Sequence, residues 1–134
     1  MSIGSDIINN KDLNVLVLAY LGDNVYEYYV RRFLIENKIS NVNDLQKNSI
    51  NYVSAKNQAK FLDELLKEDY FSEEELDIIR RTRNHKGTSH PKNCDILTYK
   101  HATALEALIG YLKLEDKEER IKSIMDKILG GSIC

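Results

Sequence analysis

The sequence predicts an all-α domain, a single helical unit with no sheet. Three observations carry that expectation. The 134 residues contain one proline and six glycines. No run of alternating Val, Ile or Thr bounded by turn residues suggests a strand. Apolar residues instead recur every three to four positions over long stretches. The length fits one domain, residues 1–134, large enough for a hydrophobic core without covalent staples.

The most apolar stretch runs from Leu13 to Phe33, and its centre, Leu18 to Glu27, reads Leu-Ala-Tyr-Leu-Gly-Asp-Asn-Val-Tyr-Glu. After a loose Ser2 to Asn10, a helix is expected from about Asp12 to Asn37. Its apolar residues occupy nearly every angle of the helical wheel, the pattern of a helix buried on most sides. Asp23 is the one short acid of the Leu13 to Phe33 stretch and is therefore expected to be buried, where a carboxylate needs a donor, a cation or a metal. The adjacent Gly22 lowers helix propensity by ~1 kcal/mol relative to Ala, which points to something approaching the backbone there. Plain helix packing at Gly22 with a hydrogen-bonded Asp23 is the bland alternative, and the spacing leaves it open.

A second helical region covers roughly Asn43 to Lys67, with a break expected near Asn48 or Ser49. Ser72-Glu-Glu-Glu75 has the form of a capping box, Ser at the N-cap and Glu three residues on, so a third helix is expected to run from there towards Asn84. His85 to Asp95 carries the Gly, Pro and polar content of a loop. A fourth helix, about Thr98 to Leu114, surrounds a single acid, Glu106, with Ala102, Leu105, Ala107, Leu108, Ile109 and Leu112. The charged residues Glu115 to Glu119 open a last amphipathic helix that ends at Gly130-Gly131.

The formal charge of −2 conceals an uneven distribution. Between Arg80 and His101 six Lys/Arg face one acid, Asp95, a net of +5 that leaves −7 for the remainder. Such a patch is an electrostatic footprint for a polyanion. Cys94 and Cys134 form no Cys-x-x-Cys or Cys/His spacing, so neither a disulfide framework nor a zinc site is indicated, and a reduced, cytoplasmic protein is expected. No signal pattern and no apolar run of the ~18 residues that span a bilayer is present, so no membrane association is expected.

Asp23 and Glu106 lie on the two most apolar helices. Two anions brought together in a core repel unless a cation sits between them. Mg²⁺ suits a sparse pair of carboxylates, because it takes oxygen ligands and keeps water or substrate phosphate in the remaining positions. Separate pairing of each acid with an Arg or Lys is equally consistent with the spacing alone.

The segment Tyr20-Leu-Gly-Asp-Asn-Val-Tyr-Glu27 resembles the signature helix of ribonuclease III catalytic domains, and Ala104-Leu-Glu-Ala-Leu-Ile-Gly110 resembles their second acidic motif, in the family's order. Tyr52-Val-Ser-Ala-Lys56, Pro91-Lys-Asn93 and Tyr99-Lys-His101, with no double-stranded-RNA-binding domain after residue 134, are similar to the compact subgroup called Mini-ribonuclease III. The resemblance implies a helical endonuclease domain that hydrolyses phosphodiesters of double-stranded RNA, leaving 5′-phosphate and 3′-hydroxyl ends. It implies that Asp23 and Glu106 are the catalytic metal ligands, with Mg²⁺ polarising the phosphoryl oxygen and orienting the attacking water. It further implies a symmetric homodimer, cytoplasmic and engaged on ribosomal RNA precursor, in particular that of 23S RNA. In larger members three more acids occupy the positions that are Leu16, Ala19 and Thr103 here, a departure that implies fewer metal ligands and more water in the shell.

Around this pair, Glu27 is read as a salt-bridge residue one turn after Asp23. Arg80, Arg81, Arg83, His85, Lys86, Lys92 and Lys100 are the candidate RNA contacts; His90 and His101 are read as phosphate contacts or surface residues. A catalytically weak RNA-binding or ribosome-assembly module is the competing reading, supported by the missing acids, and a Mg²⁺-dependent nucleotide hydrolase is a second. The tyrosines Tyr20, Tyr26, Tyr28 and Tyr29 add surface to a first helix already too apolar for one small core, so that helix is the expected dimer interface.

Overall fold

The computed structural model describes residues 9–37, 41–86 and 91–131. A short 3-10 turn (Asn10–Asp12) leads into α1 (Val15–Glu36), followed by α2 (Val42–Val53), α3 (Ala55–Lys67), α4 (Glu73–Arg83), α5 (Ile96–Leu114) and α6 (Glu118–Gly131). No strand occurs among the described residues, as the sequence predicts.

Short polar side chains set the starts of the helices. Asn14 accepts from the Leu16 amide at 2.8 Å and starts α1 slightly later than expected, and Asp95 accepts from the Leu97 amide at 2.9 Å to start α5. The predicted capping box at α4 is present: the Ser72 hydroxyl accepts from the Glu75 amide and the Glu75 carboxylate accepts from the Ser72 amide. The expected break in the second helical region falls at Ser54, not at Asn48 or Ser49. Asn48 and Ser49 donate to the carbonyls of Asp44 and Gln46 and stay helical. Ser54 is extended (φ −64°, ψ 146°) and its hydroxyl caps the Asn57 amide, so it ends α2 and begins α3. Asp69 and Asp116, at φ 55° and 57°, turn the chain after α3 and α5, letting the Tyr70 and Lys117 amides reach back to the Leu65 and Leu112 carbonyls.

α5 is the central helix. Every residue from Ala102 to Leu112 is buried except Glu106, which is half-buried. α1 makes the most extensive contact with it, and α3 and α4 flank it. α6 contributes Ile121, Ile124 and Met125, all fully buried. Arg120 of α6 clamps this assembly: it donates twice to the buried Glu75 at 2.8 Å and once to the Tyr70 carbonyl at 2.9 Å.

The expectation that α1 is buried on most sides needs correction. Leu18, Val25, Tyr26, Val30 and Leu34 face the core, but Val17 (54% exposed), Tyr20 (84%), Tyr28 (56%) and Ile35 (61%) form an uncovered stripe on the opposite side. One small domain supplies only enough partners for one face of so apolar a helix.

Candidate active site at the crossing of α1 and α5

Helices α1 and α5 touch backbone to backbone. A β-carbon added at Gly22 would lie 1.6 Å from the Glu106 carbonyl oxygen, and one added at Gly110 would lie 1.9 Å from the Leu18 carbonyl oxygen. The cost of Gly22 in a helix thus has its explanation in close packing, and the packing has a chemical result. Asp23 follows Gly22 directly, and Glu106 is the residue whose carbonyl meets it, so the crossing brings the two predicted carboxylates together.

Their environments differ, and Asp23 departs from expectation. Asp23 is exposed at the rim of the crossing. Glu106 is the desolvated member. Burial raises its pKa to about 8, with hydrogen bonding to Asp23 and the Asp23 charge adding to the rise, Gln58 opposing it and Glu27 contributing from one turn along α1. The site is thus a desolvated, half-buried carboxyl facing an accessible one.

Three groups surround this pair. Gln58 of α3, only 3% exposed, donates its side-chain amide to Glu106 Oε2 at 3.4 Å. Tyr26 is fully buried and donates its hydroxyl to the Tyr52 carbonyl at 2.6 Å; burial, then the Glu106 charge, keeps its proton on far above the ordinary tyrosine range. Glu27 pairs with Arg31 at 2.5 Å, the salt bridge expected for it. Of the positions that lack family acids, Ala19 is buried, Leu16 is half-buried, and the Thr103 hydroxyl donates to the Tyr99 carbonyl at 2.8 Å. Among the described residues no cluster of three or more His, Cys, Asp or Glu forms a ready-made metal cage.

The basic residues are divided among different tasks. Arg81 donates to the Lys11 carbonyl at 2.6 Å and lies 3.7 Å from Asp77, so it ties the start of α1 to α4. Arg80 pairs with Asp77. Arg83 is exposed and, with Leu66, Leu76 and Ile79, lines an open groove of about 670 Å³. Lys86 and Lys92 are exposed, His85 and Lys100 half-buried, and His101 Nδ1 lies 3.1 Å from the Leu97 carbonyl oxygen. His90 lies outside the described residues.

The sequence profile of the ribonuclease III domain matches residues 16–117. The chain is 44% identical over 119 residues to the Mini-ribonuclease 3 of Staphylococcus aureus, covering 89% of each, and 50% identical over 114 residues to that of Brevibacillus brevis, covering 85% of this chain and 84% of the other. The chain belongs to the ribonuclease III family. Within it, the chain falls in the Mini-ribonuclease 3 group. A crystal structure of a Fusobacterium nucleatum protein superposes with a TM-score of 0.79 at 34% identity, covering 90% of this chain and 95% of that one. As a ribonuclease III-family enzyme the chain is a double-strand-specific endoribonuclease.

Two members of this candidate site are not singled out by the sequence. Gln58 is the one polar residue of the buried α3 face Gln58, Phe61, Leu62, Leu65, and its place at helical spacing in that row was the available signal. Gly110 closes the second acidic motif, and its pairing with Gly22 across the helices leaves no local trace.

Proposed function

We propose that this chain cleaves double-stranded RNA by Mg²⁺-dependent hydrolysis at Asp23 and Glu106. The observation that supports this most is their juxtaposition at the Gly22–Gly110 crossing, with one carboxyl desolvated and the other accessible. The donor set fits the ion: two hard anionic oxygens repelling each other, with one side open for water and phosphate. When bound, Mg²⁺ supplies Lewis-acid polarisation of the phosphodiester and a water of lowered pKa.

The protein's own residues do the positioning. Glu106, half-buried and hydrogen-bonded by Gln58, is the fixed anchor. Asp23, exposed, would hold the ion from the solvent side, where water and the scissile phosphate have access. Attack by water on phosphorus opposite the 3′ oxygen breaks the P–O3′ bond, a proton passes to that oxygen, and the ends left are 3′-hydroxyl and 5′-phosphate. Arg83, Lys86 and Lys92, exposed at the surface, contact the RNA backbone. Recognition runs through shape and phosphates, because the deep major groove of A-form RNA hides its bases.

A homodimer through the exposed Val17, Tyr20, Tyr28 and Ile35 stripe presents one Asp23–Glu106 pair to each strand of the duplex. The substrate is ribosomal RNA precursor, that of 23S RNA included, and the location is the cytoplasm; the resemblance carried by the two acidic motifs is what supports both. No helix among the described residues is long and apolar enough to cross a membrane. Incubation with long duplex RNA, single-stranded RNA and nucleoside triphosphates, with and without EDTA, tests the reading. Cleavage of the duplex alone, abolished by EDTA, is expected; EDTA-resistant cleavage or hydrolysis of the triphosphates contradicts it.

A further inference from the structure

We infer that Gln58 is a positioning residue for metal binding, holding the Glu106 carboxylate in the orientation in which it serves as a ligand. This inference rests on the reading of Asp23 and Glu106 as ligands and goes beyond it to a third helix, α3.

The buried face of α3 is Gln58, Phe61, Leu62 and Leu65. Leu62 and Leu65 are 0% and 3% exposed and simply fill the core. A glutamine in the same row, 3% exposed, brings an amide that must be satisfied, since leaving a buried donor unmet costs ~1–3 kcal/mol. An apolar residue of that size would meet the packing need without that liability. The side chain spends its amide on Glu106 Oε2, 48 residues away, and no buried side-chain polar atom among the described residues lacks a partner.

The contact is directional. An ionised carboxylate only accepts hydrogen bonds, so the amide must present its NH₂ group to it. One oxygen of Glu106 is thereby engaged from the α3 side, which restricts rotation of the carboxylate and leaves its other oxygen for a ligand arriving from the Asp23 side. The side chain of Glu106 starts from a backbone that cannot shift, since its own carbonyl is seated against Gly22. Backbone contact from α1 and amide contact from α3 therefore fix the residue at both ends. The 3.4 Å separation is at the long end of the hydrogen-bond range and is expected to shorten when Glu106 carries full charge. A site built on two carboxylates depends heavily on such support, because among the described residues no group of three or more His, Cys, Asp or Glu is placed to hold an ion that a rotated Glu106 has released.

The test uses the full chain and Mn²⁺ alone as probe, its binding read from the paramagnetic resonance signal of the free ion. Gln58→Leu and Gln58→Met keep the volume and remove the donor; thermal unfolding confirms that each is folded, the second serving if the first is not. Removal of an outer-shell partner typically costs ~10–100-fold in metal affinity, and a loss of about tenfold is expected here. The Mg²⁺ concentration for half-maximal cleavage should rise by a similar factor, with KM for duplex RNA unmoved and most cleavage recovered by excess Mg²⁺. A purely structural role would lower the melting temperature without that recovery. Mn²⁺ affinity within twofold of the parent in a folded variant overturns the role of Gln58 while leaving Asp23 and Glu106 as ligands. Parental Mn²⁺ affinity in Asp23→Asn and Glu106→Gln overturns the reading of the site itself, and the role of Gln58 with it.

Discussion

Gly22 of α1 and Gly110 of α5 interlock across the helix crossing: each is seated against the carbonyl of the residue four positions before the other, Glu106 for Gly22 and Leu18 for Gly110. Atoms of the helix backbones, which cannot swing aside, fill the space a side chain would need. The same register that allows this contact sets Asp23 beside Glu106, so packing and chemistry depend on one pair of glycines.

Gly22→Ala and Gly110→Ala should each destabilise the fold by about 3 kcal/mol or more, at the upper end of overpacking costs, because the helices must separate. A change of Gly130→Ala, where an added β-carbon meets nothing within 4 Å, serves as the control and should be nearly neutral. Urea unfolding measures all three. Where Gly22→Ala remains folded, cleavage should fall further than stability, since separation of the helices also moves Asp23 away from Glu106.

Stability of the metal-free protein should decline with pH. The Glu106 pKa is raised from an ordinary 4.5 to about 8 on folding, so the stability linked to its protonation is fully present below about 4.5 and is lost as pH rises through 8. Glu106→Gln should flatten this part of the profile and raise the melting temperature at pH 8, since a neutral amide occupies the place of a desolvated anion. Melting curves between pH 5 and 9 in EDTA would show it; a parallel decline in the variant would assign the effect to other groups.

The basic residues should separate into two classes. Arg83, Lys86 and Lys92 are exposed, and their replacement should weaken duplex binding and make the dependence of log affinity on log salt shallower. Arg81 holds the Lys11 and Leu13 carbonyls, so Arg81→Ala should lower the melting temperature and leave the salt dependence nearly unchanged. A salt dependence that shifts with Arg81 and not with the other three would reverse the assignment.

Sedimentation at micromolar concentration should give a species of twice the 15.5 kDa chain mass. Tyr20→Glu, at the most exposed residue of the α1 stripe, should shift it to the monomer with little change in helicity. A parent protein that runs as a monomer and still cuts both strands would refute the dimer.

The helix order was legible because amphipathic spacing and capping residues are local signals: the capping box of Ser72 and Glu75 and the apolar run around Glu106 both have the predicted form. Local signals also misled. A helical wheel registers that α1 is apolar all round but not which side the rest of the chain can reach, and so Asp23 was expected inside when it lies at the rim. Asn48 and Ser49 looked like breakers because their side chains compete for the backbone; here they bond to carbonyls of their own helix, and Ser54 makes the break. Gln58 and Gly110 act on residues distant in sequence, and spacing along one helix carries no record of that.

The most direct measurement is the rate of cleavage of long duplex RNA by Asp23→Asn and Glu106→Gln at saturating Mg²⁺, with folding verified by melting. The account predicts a fall of about a thousandfold or more in each, equal to at least ~4 kcal/mol of lost transition-state stabilisation, with the folds intact. Turnover at the parental rate in either variant would contradict it.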